Sequence, residues 1–151
     1  MTFRKHTNIF ENNDQDNNIY TKNGLFSHLM VLLGGRIAEE VFYGYSVTTG
    51  ARKDLEEAYK LTQNMILQYG MGKQSIYPDL SERSKFLIDQ EINHLLMLAH
   101  AEATSIVLNS KDMIMDCCET LKKDNVLKPE QIIEIINKKY PDLWKLYDIR
   151  D

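Results

Sequence analysis

Four histidines, His6, His28, His94 and His100, are the side chains of this 151-residue chain best suited to hold a metal or to move a proton near neutral pH. A zinc hydrolase sets two of them one helical turn apart with a glutamate between, so that both imidazoles reach one ion and the carboxylate takes a proton from metal-bound water. No H-E-x-x-H occurs here. The closest pair, His94 and His100, is six residues apart, about 240° around a helix, so the two rings do not share a face. Glu91 and His94 do fall on one face, as in carboxylate-bridged di-metal bundles, but those need a second such pair and two further glutamates, and Met97 stands where His100 would need its acid. The reading for Glu91 and His94 is a solvated helix face.

Nucleophilic chemistry finds no better support. Cys117 and Cys118 are the only cysteines. As neighbours they cannot staple distant segments, and without a second pair they do not complete a zinc site. No histidine stands near them in sequence to activate a thiolate, so one of them is expected to be a small core residue. Neither G-x-S-x-G nor a G-x-x-x-x-G-K-[ST] phosphate loop is present. No residue is assigned a catalytic role.

The elements that would carry any site are helical. Apolar residues recur at three-and-four spacing from about Lys22 to Phe42, through Leu25, Leu29, Leu32, Leu33 and Val41. Gly34 and Gly35 interrupt this run at about 1 kcal/mol each relative to alanine, which predicts either a kink or a close approach by another backbone, with close packing the preferred reading. Gly44 stops the helix, and residues 45–50 form a short connection in which Thr48 or Thr49 would cap a second helix over 51–69. That helix carries Leu55, Ala58, Tyr59, Thr62, Met65, Ile66 and Tyr69, with Gly70 as its terminator. A long third helix begins near Ser81 and ends at Asn109-Ser110. A fourth covers 111–123, and a fifth starts at Pro129 and closes before Pro141. No strand pattern and no repeat is visible. The fold class predicted is all-α, a helical bundle with short loops, divided into an Asn- and Asp-rich flexible arm over 1–20, a helical domain over 21–140 and a C-terminal tail over 141–151.

Composition narrows the partners. Hydrophobic residues at 43% and charged residues at 26% are those of a chain that folds around a core. A formal charge of −4 gives no overall basic surface, so no nucleic acid is expected. The longest apolar runs, Leu29 to Leu33 and Leu95 to Ala99, are five residues each, against about 20 for a membrane-spanning helix. An intracellular, soluble chain with no membrane segment is the expectation.

Three strings then stand out: VLLGGRIAEEV over 31–41, TTGARKDLEE over 48–57 and QYGM over 68–71. In order and spacing they resemble consecutive signatures of the FtsH-type ATP-dependent zinc metalloprotease domain. Residues 84–91 (SKFLIDQE) look like that family's next long helix, which extends the resemblance over about 21–137. The resemblance implies an all-α peptidase-domain fold and zinc in the family, held there by two histidines of H-E-x-x-H and by an aspartate that falls on Asp54. It implies that Glu39 and Glu40 are the acidic pair close to the metal site, and that Gly34 and Gly35 let their helix pack tightly under the active-site helix. An acid in the first turn of a helix also favours the helix dipole by roughly 0.3–1 kcal/mol without any metal, so Asp54 has a second rationale.

The departures from that family are as informative. Two ligands and the general base are missing, as is the ATPase module that precedes the peptidase domain. The stretch between Gly70 and Ser84 is shorter than its counterpart, which carries part of the substrate-binding edge. The expectation is a truncated metallopeptidase domain, inactive alone and binding no zinc by itself. The alternative is a helical protein-interaction or oligomerisation module whose partner is a second copy or an FtsH-like protease subunit, with apolar surface uncovered around Leu29, Leu33 and Ile37.

Overall fold

A computed structural model describes residues 19–74 and 81–147. Apart from Ile19 and Tyr20, the expected N-terminal arm lies outside the described residues, as do residues 75–80 of the connection before the third helix. The described residues form six helices and no strand: α1 (Lys22–Tyr43), α2 (Arg52–Leu67), α3 (Glu82–Asn109), α4 (Lys111–Asp124), α5 (Pro129–Lys139) and α6 (Leu143–Tyr147). The all-α class read from the spacing is the one observed.

Local chemistry sets the ends. The Thr21 hydroxyl oxygen accepts the N–H of Gly24 at 3.1 Å and so caps α1. Gly44 ends it in the left-handed region at φ +59°, a conformation that costs a residue without Cβ nothing. Gly70 plays the same part after α2, at φ +61°, and the Met71 N–H reaches back six residues to the Met65 carbonyl at 2.8 Å. Ser81 caps α3 by accepting the Ser84 N–H at 3.2 Å. Asn125 ends α4 with φ 59°, a position its short polar side chain tolerates better than most. At the start of α5, Gln131 turns its amide oxygen back to the Lys128 N–H at 2.8 Å.

The chain divides into two compact units. The first takes in residues up to Leu33 and those from Arg52 to Ala99. Its core is supplied by Leu25, Leu29, Leu32 and Leu33 on α1, by Ala58, Thr62, Met65 and Ile66 on α2, and by Ile92, Leu95 and Ala99 on α3. Leu29, Thr62 and Met65 are wholly shielded from solvent. The Thr62 hydroxyl satisfies itself on the Ala58 carbonyl at 2.8 Å, which removes the cost of an unpaired buried hydroxyl. The apolar stripe on α2 is narrower than its sequence suggests, because Leu55 and Tyr59 lie at its edge, 38% and 47% exposed.

The second unit takes in Gly34 to Ala51 and the residues from His100 onward. Among the described residues its buried ones are Ile37, Ala51, Ala103, Val107, Ser110, Cys117, Ile136 and Leu143. Asp116 on α4 ties in the end of α5 by accepting from Lys139 Nζ at 3.0 Å and from the Tyr140 hydroxyl at 2.8 Å. The Lys139 bond, and after it that from Tyr140, holds the Asp116 carboxyl below its usual range, and the hydrogen bond to Asp116 raises the Tyr140 phenol to about 12. Cys117 is the core thiol expected on this helix, its Sγ 3.6 Å from Met113 Sδ, and burial pushes its pKa up.

One expectation is overturned. Leu29, Leu33 and Ile37 do not form an uncovered patch; they are 0%, 6% and 1% exposed. Their four-residue spacing places them on one face of α1, and that face is buried within the chain itself. The exposed apolar residue of this stretch is Val31, on the opposite side.

Candidate functional site

The acidic pair of α1 is the centre of a hydrogen-bonded cluster built on the turn that follows it. The reversal at Gly44 brings residues 46–51 back alongside the last turns of α1, where Glu39 and Glu40 project. Glu39 accepts the Thr48 N–H on Oε2 at 3.0 Å and the Thr48 hydroxyl on Oε1 at 2.7 Å. The same Thr48 oxygen accepts the Gly50 N–H at 3.1 Å, a local threonine turn. Thr48 therefore organises the turn ahead of α2 and gives its hydroxyl to α1, where the sequence suggested a direct cap for the helix. These bonds, the hydroxyl first and then the backbone N–H, hold the Glu39 carboxyl below the ordinary glutamate range.

Glu40 faces two bases. Its Oε1 takes Arg36 Nε at 2.9 Å, one helical turn back, and its Oε2 meets His100 Nε2 on α3 at 3.2 Å. The Arg36 bond is the larger reason that the Glu40 carboxyl is held low, with His100 second. Arg36 also donates from its NH1 nitrogen to the Thr48 carbonyl at 3.3 Å. Residues of α1 thus engage Thr48 at its hydroxyl, N–H and carbonyl. Glu40 and Arg36 are 38% and 29% exposed, so their ion pair belongs with surface pairs worth about 0–1 kcal/mol. What the cluster provides is geometry: two ionised acids at fixed positions and an immobilised turn.

Asp54 lies in the first turn of α2, exposed to solvent, three residues past Ala51 and its buried methyl. It stands with its carboxylate at the positive end of the helix dipole. Among the described residues no three His, Cys, Asp or Glu side chains converge on a point that could hold a metal ion. The donors present do not fit a catalytic zinc, which takes three protein ligands and a water. A Cβ built on Gly34 or on Gly35 meets nothing within 4 Å among the described residues, so the close approach expected there is not made by them. Glu91, half of the pair read as a solvated face, accepts the Lys73 N–H at 3.0 Å and so anchors the turn after α2.

The spacing rules missed the partners of the acidic pair. Arg36 and Glu40 are four apart and could have been paired from sequence, but Thr48 and His100 could not.

Helices, acidic pair and clamped Thr-Thr-Gly turn together make an all-α scaffold of the peptidase kind that the motifs resemble. Residues 7–135 match Peptidase family M41, and the chain belongs to that family. Among curated relatives, it is 27% identical over 145 residues to the ATP-dependent zinc metalloprotease FtsH of Clostridium perfringens, covering 85% of this chain and 20% of that protein. It is 30% identical over 148 residues to the protein of the same name from Synechococcus sp., covering 85% and 23%. A component of the mitochondrial inner membrane m-AAA protease of Mus musculus is 27% identical over 132 residues, covering 78% and 17%. The chain therefore spans about a fifth of the length of these relatives. No helix among the described residues is long and apolar enough to cross a membrane.

Proposed function

We propose that these 151 residues are the scaffold portion of an M41-type peptidase, contributing one carboxylate, Asp54, to a metal site whose histidines and general base come from an H-E-x-x-H segment outside them. The observation that supports this reading is the isolation of Asp54: it occupies the ligand position of the Thr-Gly-Ala-x-x-Asp motif, with no group of three potential ligands among the described residues. A single carboxylate does not retain a catalytic zinc, so the chain by itself cleaves nothing and no hydrolytic step is assigned to it. Its own residues position rather than react. Glu39 and Arg36 fix the turn that leads into α2, and the bare strip at Gly34 and Gly35 leaves room for the helix supplied from outside.

The test is direct. The purified chain is assayed for bound zinc after dialysis against the metal and for casein cleavage, with and without a peptidase-domain segment bearing H-E-x-x-H. No zinc and no cleavage by the chain alone are expected, with cleavage restored by the added segment and lost again in Asp54→Ala. Turnover by the chain alone that Asp54→Ala abolishes would sink the proposed inactivity.

A second reading, an interaction or oligomerisation module without catalysis, has one observation in its favour. Phe86 and Met97 on α3 are 60% and 70% exposed and eleven residues apart, roughly three turns, which sets them on the same side of the helix. Sedimentation of the chain at micromolar concentration separates the readings. A dimer dissociated by Phe86→Ser with Met97→Ser supports the module, and a monomer counts against it.

A further inference from the structure

A single carboxylate oxygen ties the end of α5 to the middle of α4. Asp116 Oδ2 accepts from Lys139 Nζ at 3.0 Å and from the Tyr140 hydroxyl at 2.8 Å. The Asp116 side chain is only 23% exposed, and a phenol donating to a carboxylate makes one of the stronger kinds of hydrogen bond. The next residue is Cys117, a nucleophile that the proposed function leaves unused, buried where Cys118 is open. The Tyr140 ring reaches this same stretch of α4: after the Asp116 bond, burial and the Asp116 charge, the negative forms of Asp112 and Cys117 add to what raises its phenol.

The rest of the attachment is light. Among the described side chains, Ile136 of α5 and Leu143 of α6 are the buried ones, with Ile132 and Ile135 half-buried and Ile133 exposed. Toward its N-terminal end α5 is tied to α4 by Gln131 Nε2, which donates to Asp124 Oδ2 at 3.3 Å. The two last helices hold to each other as well: Trp144 Nε1 donates to Asn137 Oδ1 at 2.8 Å, and the Leu143 N–H to the Tyr140 carbonyl at 3.0 Å. A segment that coheres internally and buries few apolar side chains opens as a unit more readily than the whole chain unfolds.

We infer that α5 and α6 form a strap latched on Asp116 over the Cys117 thiol: the nucleophile is withheld while the latch is closed and offered when the strap lifts. Asp116 sets the balance, because it holds Lys139 and Tyr140 at once. Cys117 then reacts at a rate fixed by how often the strap is open, and Cys118 on the exposed side does not depend on it.

The experiment uses the full chain and needs neither metal nor peptidase activity, so its failure leaves the proposed function untouched. In a Cys118→Ser background, the rate at which Cys117 reacts with a chromogenic aromatic disulfide is followed under native conditions. Asp116 adds, after burial and Cys118, to what raises the Cys117 pKa, so Tyr140→Phe, which keeps that charge, is the cleaner variant. It should raise the thiol rate about three- to tenfold, the effect of losing one hydrogen bond to a charged group, and Asp116→Ala should raise it further. Amide exchange in the same variants shows which part has opened. The Tyr140 amide, bonded to the Ile136 carbonyl at 2.8 Å, should speed up with the thiol, while the Ile114 amide on α4, bonded to the Ser110 carbonyl at 2.9 Å, keeps its native rate. An unchanged thiol rate in Tyr140→Phe, or both amides accelerating by one factor, overturns the inference. The Cys118→Ser chain alone gives a second measurement. Its Cys117 rate should climb shallowly with urea at low concentration, because local opening exposes little surface, and steeply only near the unfolding midpoint. A single steep dependence from zero urea upward would assign the exposure to global unfolding and dismiss the strap.

Discussion

Glu39 holds Thr48 with both carboxylate oxygens, one on its N–H at 3.0 Å and one on its hydroxyl at 2.7 Å. The two residues are nine apart in sequence and sit on either side of a glycine reversal. If this clamp orders the turn, Thr48→Val, which keeps the shape and removes the hydroxyl, should lower amide protection at Gly50 and leave the helical circular dichroism unchanged. Loss of helix content instead would show that Thr48 stabilises α2 itself.

The clamp also carries a pH signature of definite sign. Glu39 and Glu40 ionise more readily in the folded chain than when free, chiefly through Thr48 and Arg36 respectively. A depressed carboxylate contributes stability that is present above its unfolded value, about 4, and is lost as pH falls through the lower folded value. The urea midpoint of native chain minus that of Glu39→Gln should therefore shrink between pH 6 and pH 3. A difference that grows on acidification would contradict the assignment.

Met65 tests the core of the first unit. It is fully buried on α2, and truncation to alanine should cost about 2–5 kcal/mol by leaving a cavity. Val31→Ala, on the exposed side of α1, should fall within about 0.5 kcal/mol of the native chain. Chemical denaturation of both variants checks the contrast; equal losses would mean that the buried face has been misassigned.

In the second unit, the Asp116–Tyr140 bond predicts that Tyr140 ionises at about 12. A phenol raised in this way adds stability that is complete below the unfolded value near 10 and fades as pH climbs through the folded one. Ultraviolet titration of the folded chain should show one late tyrosine that vanishes in Tyr140→Phe. Its persistence in the variant would assign the late phenol elsewhere.

The helices were legible because their ends are written in residue types with few other uses. Gly44 and Gly70 supply left-handed backbone, and Pro129 opens α5 where its missing N–H is not needed. The misreading of Leu29, Leu33 and Ile37 has a plain physical origin: periodicity tells which residues share a face but not what covers it. The acidic pair was visible through its motif, yet its working geometry was not. Thr48 reaches Glu39 only because the chain reverses at Gly44, and His100 stands sixty residues from Glu40, beyond any local spacing rule. Asp54 was found by resemblance alone, since an acid in a helix's first turn is otherwise unremarked.

Cys117 and Cys118 are adjacent in sequence yet opposite in circumstance, one buried with a raised pKa and the other open to solvent. A maleimide dye offered to the folded chain will attach at Cys118 and spare its neighbour. The native sequence thus carries its own single labelling point on α4, ready for fluorescence measurement of any association with a partner segment, without an engineered residue.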